Sequence, residues 1–427
     1  MSLEEAAEPE TEIAIPAAPL HDPYAVLRLP NFRLYLIGNA LAVFGMQMQT
    51  VAVGWDIYKR THEPFDLGLV GLMQFLPIGV LTLPAGRVAD LLNRKRIIMA
   101  SMLGLGCCSL GLSWISAHQG AVFWMYVCLL ASGVARAFLQ PAKSSFLPQI
   151  VPRGHFATAV TWNMGAFHLA AVVGPAAGGF MIAWLGRATE VYLLDAASAL
   201  VFLALLTLVA SPPHVASVEA LGWRSFSAGA EFVWGNKVIL GAMTLDMFAV
   251  LLGGAVAMLP VYAEDILHVG ATGLGWMQAA PAIGALLTSF VLAHRPPIER
   301  AGPTMLWTVA GFGAATIVFG WSRWYYLSLA MLFLAGAFDT VSVVIRHTLV
   351  QLLTPDEMRG RVSAINGMFI GASNELGRFE SGLAAKLFGS AVFSVVSGGI
   401  GTLAVVALVA KLWPQLTRYG RLDGKEQ

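Results

Sequence analysis

Five ionisable side chains lie deep inside apolar stretches of this 427-residue chain: Arg136, Asp246, Asp339, Glu375 and Arg378. A charge at bilayer depth costs about 2.5–3.5 kcal/mol on insertion scales and persists where it meets a partner, a cavity or a ligand. The chemistry open to such groups is ion pairing, ligand binding, and proton uptake and release. Glu375 and Arg378 are three residues apart, which puts them on one face of a helix. Asp246, Asp339 and Glu375 are the carboxylates suited to carrying a proton between two aqueous sides. No H-E-x-x-H, nucleophile elbow, Walker-type glycine loop or repeated acidic metal motif is present. Cys107, Cys108 and Cys128 lack metal spacing and read as packing residues. We therefore expect no enzyme, no metal and no cofactor.

The elements that must position these groups follow from composition. The chain is 57% hydrophobic and 12% charged, with mean hydropathy +0.69, whereas soluble domains carry roughly 25% charged residues. Stretches long enough to cross a ~30 Å hydrocarbon core recur near 33–56, 67–89, 97–117, 121–142, 157–185, 190–210, 238–261, 271–293, 303–321, 325–348, 359–387 and 390–412. The expectation is an all-α integral membrane protein of twelve transmembrane helices.

The second six spans repeat the first. An offset of 203 residues carries Gly133 to Gly336, Lys143 to Arg346, Asn163 to Asn366, Gly174 to Gly377 and Gly179 to Gly382. An offset of 204 carries Gly71, Gln74 and Pro77 to Gly275, Gln278 and Pro281. Parallel repeats of this size belong to secondary transporters built from two pseudo-twofold-related bundles. The same offset sets Arg136 against Asp339, opposite charges at equivalent positions, which suits either an ion pair across the pseudo-twofold axis that closes the cytoplasmic side or local pairing of each within its own half.

With both termini inside, nineteen of the 26 Lys and Arg fall on the cytoplasmic face, counting Lys143 and Arg346, against five on the other face. That is a positive-inside pattern. Residues 1–30 carry acidic groups and no basic start, unlike a signal peptide, and read as a disordered cytoplasmic tail. The remaining organisation is a six-helix bundle over 31–210, a cytoplasmic linker over 211–236 with an amphipathic helix in 222–236, a second bundle over 237–413, and a tail over 414–427. Asp56 and Asp195 fall near the outer ends of their spans, where headgroup water would solvate them.

The loop after the second span reads Gly86-Arg87-Val88-Ala89-Asp90-Leu91-Leu92-Asn93-Arg94-Lys95-Arg96. Here the sequence resembles the major facilitator superfamily, whose signature at this loop is G-x-x-x-D followed by a basic triplet. Asn93 departs from the family's usual Gly. Gly174-Pro175-Ala176-Ala177-Gly178-Gly179 in the fifth span matches the core of the superfamily's antiporter motif, found chiefly in exporters. Phe138–Gly179, with Pro141-Ala142-Lys143 and Leu147-Pro148-Gln149-Ile150-Val151-Pro152, is similar to the branch containing bacterial enterobactin exporters and macrolide efflux pumps. So is Arg346–Gly382.

The resemblance implies the major facilitator fold in a bacterial cytoplasmic membrane, working as a monomer. It also implies that Gly86, Asp90 and Arg94 form a conformational latch, and that Gly174, Pro175, Gly178 and Gly179 form the antiporter motif. The first, fourth, seventh and tenth spans would then line a substrate cavity, with Asn39, Gln47, Arg136, Gln140, Asp246 and Asp339 as candidates. Asp246, Asp339, Glu375 and Arg378 are the proton-coupling candidates. The expected partners are a small amphiphilic molecule, protons and lipid, and no nucleic acid. One proton driven through roughly 150 mV supplies about 3.5 kcal/mol, enough to hold a gradient of about 300-fold. An importer or facilitator on the same fold is the alternative; a polytopic membrane enzyme or a non-transporting receptor is a weaker one.

Overall fold

The computed structural model describes residues 22, 24–210, 223–296 and 298–420, and every regular element among them is helical. The first half comprises α1 (Pro30–Thr61), α2 (Pro64–Leu91), α3 (Arg94–Ala117), α4 (Val122–Ile150), α5 (Phe156–Leu185) and α6 (Thr189–Leu208). A short α7 (Trp223–Gly235) follows. The second half comprises α8 (Lys237–Leu252), α9 (Gly270–Ala293), α10 (Ala301–Trp321), α11 (Tyr325–Leu353), α12 (Asp356–Phe388) and α13 (Ala391–Leu412). The path of α8 is prolonged by a 3-10 turn at Ala255–Met258 and a π turn at Tyr262–Ile266, giving a single span over Lys237–Ile266.

Among the described residues, 11 helical segments are long and apolar enough to cross a membrane. The remaining expected span, α12, is a 33-residue helix that would reach about 50 Å at 1.5 Å per residue. Charges along it, from Arg359 to Lys386, lower its hydropathy, and it spends its length against α2, α7, α8 and α13. Local signals set the helix ends. Pro30 and Pro64 open α1 and α2, where a missing N–H is no loss. Asn93, Asn236 and Ser390 cap α3, α8 and α13 with side-chain oxygens. Gly186 and Gly389, equivalent under the 203-residue offset, close α5 and α12 in the left-handed conformation, with φ of 74° and 64°.

The repeat persists in the packing. A Cβ on Gly133 of α4 would lie 3.1 Å from Pro77 of α2, and one on Gly336 of α11 would lie 2.6 Å from Cα of Pro281 in α9. The same two glycines thus let the same two helices meet, once in each half. Large apolar side chains such as Trp114, Trp184, Trp307, Trp321 and Trp324 are exposed on the exterior, as a lipid-facing surface requires.

Two expectations about the chain ends change. The segment from Tyr24 is folded rather than part of a tail reaching residue 30: Ala25–Arg28 is a 3-10 turn, and Val26 is fully buried in the core formed by Phe32, Tyr35, Ile98 and Phe146. The tail expected from residue 414 begins as a docked turn. Leu416 is fully buried, and the amides of Ala301 and Gly302 donate to the carbonyls of Gly420 and Tyr419 at 2.9 and 3.1 Å. The rest of the expected tails and the start of the linker, residues 1–21, 23, 211–222 and 421–427, lie outside the described residues. The amphipathic helix expected within 222–236 forms as α7 and packs on α12, with Gly229 close to Arg361 and Ile365.

Candidate functional site

The two halves meet along α2 with α12 and α5 with α9, and small residues make both meetings possible. A Cβ on Gly179 of α5 would sit 2.9 Å from the backbone of Gly275 in α9, and one on Gly275 would sit 2.6 Å from the carbonyl of Pro175. In the other crossing, a Cβ on Gly382 of α12 would lie 2.6 Å from Cα of Gly68, and one on Gly71 would lie 2.9 Å from the Glu375 carbonyl. Backbones that approach this closely leave no room for side chains. Gly174 and Gly178 of the antiporter motif turn instead to α1, against Gln47 and Met48.

These contacts occupy only one end of each helix pair. At that end Lys59 of α1 pairs with Glu264 of the π turn, and the Tyr58 hydroxyl donates to Asp265. Phe65 of α2 lies 6.1 Å from the Phe379 ring, and Lys386 stands over Phe65 at 4.3 Å. Toward the opposite end the pairs part: at Gly86 of α2, Gly165 of α5, and Gly367 and Gly371 of α12, nothing lies within 4 Å of where a Cβ would stand. The molecule is sealed between its halves at one face and open at the other.

Where the sealed part ends, the membrane-depth charges gather. Arg136 of α4 donates from Nη1 to Gln74 Oε1 of α2 at 3.3 Å, while its buried Nε has no partner. Arg378 of α12 bonds Glu375 at 3.3 Å, the i,i+3 pair expected from spacing. Gln74 stands one turn along α2 from Gly71, which packs on the Glu375 carbonyl and the Arg378 side chain, so the Arg136–Gln74 contact lies beside this pair. Gln74, its repeat mate Gln278, and Arg378 line a narrow space between the halves. Arg378 also borders a cavity of about 190 Å³ within the second half, together with Asp339, Asn374, Phe312, Thr316 and Phe319. Arg378 therefore stands at the junction of the inter-half space and this cavity.

Several sequence expectations are redistributed. Asp246 is not in the cavity: it is buried in an ion pair with Arg346, whose side chain is 2% exposed. Arg346, counted among cytoplasmic cations, is thus inside the second half, because α11 runs unbroken to Leu353. Arg136 and Asp339 form no ion pair with each other in this conformation. Asn39 is buried and bonds Asn163 of α5 at 2.8 Å, and Gln47 backs onto α5, whereas Gln140 is exposed. Asp56 and Asp195 are buried instead of solvated at the surface. Asp56 pairs with Arg60 at 2.7 Å, and Asp195 accepts from Ser109 at 2.5 Å. Arg94 opens α3; the side chain of Asp90 lies outside the described residues, so the Gly86, Asp90 and Arg94 latch has no described geometry.

Reasoning from sequence missed the Gln49, Ser109 and Asp195 cluster. Its only signal was an Asp in an otherwise apolar span.

The Major Facilitator Superfamily profile matches residues 35–298 and 255–427. The chain is 26% identical over 403 residues to enterobactin exporter EntS of Escherichia coli O1:K1, covering 91% of this chain and 93% of that one. The counterpart from Shigella boydii serotype 18 aligns with the same identity and coverage. Among solved structures, an inward-facing, unoccupied bacterial homolog of the human lysosomal transporter Spinster superposes with a TM-score of 0.70 at 14% identity, covering 91% of this chain and 96% of that one. A point mutant of the nucleoside transporter NupG gives 0.68 at 12% identity, covering 90% and 99%. A D-xylose-proton symporter gives 0.67 at 14% identity, covering 93% and 99%.

Proposed function

The chain belongs to the major facilitator superfamily, and from that premise we propose that it exports a small amphiphilic, siderophore-like molecule in exchange for protons by alternating access. The observation that carries this reading is the charge cluster of Arg136, Gln74, Glu375, Arg378 and Asp339, placed where the sealed and open parts of the inter-half contact meet. A group at that depth is reachable from one side now and from the other once the halves rock. The positive-inside pattern supports assigning the open face to the cytoplasm and both termini to the same side, so the conformation is inward-open, ready to receive a cytosolic substrate. The antiporter-motif glycines and the curated relatives' name support export over import. The siderophore-like class rests on that name.

Of the three candidate carboxylates, Asp339 suits proton exchange best. Asp246 is engaged by Arg346 and Glu375 by Arg378, while Asp339 borders the cavity without an ion-pair partner among the described residues. Its neighbour Arg378 supplies a positive charge for an anionic substrate group. The aromatic wall of Phe312 and Phe319 supplies apolar contact. A single chain contains both halves and the whole cluster, which supports a functional monomer.

The test is transport in inverted membrane vesicles from cells producing the protein, compared with vesicles lacking it, with an imposed gradient and enterobactin as the first probe. Uptake into vesicles with an acidic interior, abolished by a protonophore, is the expected result. Uptake that runs only with the opposite gradient overturns export, and uptake indifferent to pH overturns proton coupling.

A further inference from the structure

The first half holds a buried carboxylate that the cavity chemistry leaves unused. Asp195 of α6 is 7% exposed, and both of its oxygens are placed. Oδ1 lies against Gly45 of α1, where a Cβ would come within 2.9 Å of it. Oδ2 lies 2.5 Å from Ser109 Oγ of α3, and Gln49 of α1 donates to that same hydroxyl at 2.9 Å. Ser109 has one proton and two acceptors within reach, Asp195 and the Leu105 carbonyl at 3.0 Å. When the hydroxyl turns to Asp195, the carboxyl is ionised. When it turns to Leu105, the short contact is made by a proton on Asp195 itself, with Ser109 accepting from both Asp195 and Gln49. Rotation of a single hydroxyl thus satisfies either protonation state without moving a helix.

The cations facing Asp195 are Arg136 and Lys143 of α4, which line with it a cavity of about 40 Å³, room for about two waters. On the other elements packed against α6, the ionisable groups are otherwise engaged or distant. Asp56 and Arg60 of α1 pair with each other beside Tyr192. Lys95 of α3 is held by the carbonyls of Thr207 and Val209 at the far end, and α5 contributes only His168. Arg136 therefore stands between two carboxylates: Asp195 across this cavity in its own half, and Glu375 in the other, whose carbonyl packs on Gly71 one turn from the Gln74 that Arg136 bonds. Its one neutral bond to Gln74 and its unpartnered Nε leave it free to follow whichever is charged.

We propose that Asp195 is a proton-binding group of the first half, and that its charge decides whether Arg136 is held within that half or released to Glu375 across the α2–α12 crossing. Ionised Asp195 retains Arg136; protonated Asp195 lets it bind the halves together at the cluster. The inference rests on the proton-coupled reading and locates a second proton-sensitive group within it.

The experiment needs no substrate. Spin labels placed at the open ends of α5 and α9, on full-length protein in lipid nanodiscs, report the separation of the halves across a pH series. The wild-type distribution is expected to shift with pH. Asp195→Asn should hold one distribution throughout, and Asp195→Glu should restore the response. Ser109→Ala, which leaves the carboxyl in place, should displace its midpoint by about tenfold in proton concentration, and it decides the matter if Asp195→Asn does not fold. A wild-type response that persists unchanged in Asp195→Asn, or in Ser109→Ala where that variant decides, overturns this inference alone. A wild-type distribution indifferent to pH overturns the proton-coupled reading with it.

Discussion

The buried ions of this chain divide into those held and those left available, and mutation should separate them. Asp246 and Arg346 are enclosed together, so removing one strands the other in an apolar interior. Asp246→Leu or Arg346→Leu alone should destabilise by about 3–5 kcal/mol, and the double replacement by far less, measured by thermal unfolding in detergent. Asp339 borders open space, so Asp339→Asn should leave the unfolding temperature nearly unchanged. It should also reduce gradient-driven transport at least tenfold while sparing substrate counterflow. If Asp246→Asn instead removes coupling with normal stability, the roles of the two carboxylates are reversed. Asp195 and Arg346 were misplaced for one reason, depth judged from a helix end. Asp195 is only the seventh residue of α6, so counting from the helix start puts it near water. α1 and α3 continue alongside and cover it. Arg346 looked cytoplasmic because its span was ended too early; α11 carries it about two turns inside.

At the scale of helices, the glycines were legible as a repeated pattern, and the structure gives them distinct tasks. Gly174 and Gly178 pack α5 onto α1 within one half, while Gly179 is the motif glycine that meets the other half, at Gly275, beside the carbonyl of Pro175. A larger side chain at Gly179 must push α9 away at the sealed end. Gly179→Leu should therefore shift the population away from the inward-open state and lower transport more than tenfold. The readout is thiol labelling of single cysteines, introduced after replacing Cys107, Cys108 and Cys128: labelling should rise at the sealed face and fall at the open one. Gly174→Ala, buried within a half, should cost stability without that change in labelling. The polar α12 was read as a span alongside the other eleven stretches. Its composition alone would have argued otherwise, since it reaches a bilayer-length path by packing against protein on several sides instead of by apolarity.

For the whole molecule, alternating access requires that the two closures be nearly balanced, so modest interactions at either face can set the resting state. Lys59 with Glu264 and Tyr58 with Asp265 hold the sealed face across the halves. Lys59 is 43% exposed at its side chain and Glu264 24%, and an ion pair this wet contributes at most about 1 kcal/mol. Reversing one charge replaces that attraction with a repulsion of similar size, which moves a two-state equilibrium by about tenfold. Lys59→Glu or Glu264→Lys should thus raise the outward-open fraction measured by spin-label distances across the sealed face, with the helices themselves unaltered. The exchanged pair, Lys59→Glu with Glu264→Lys, should return the distribution close to wild type. Persistence of the sealed state in both single variants would mean that the glycine crossings alone hold it. The clasp would then be a consequence of closure, with no share in causing it.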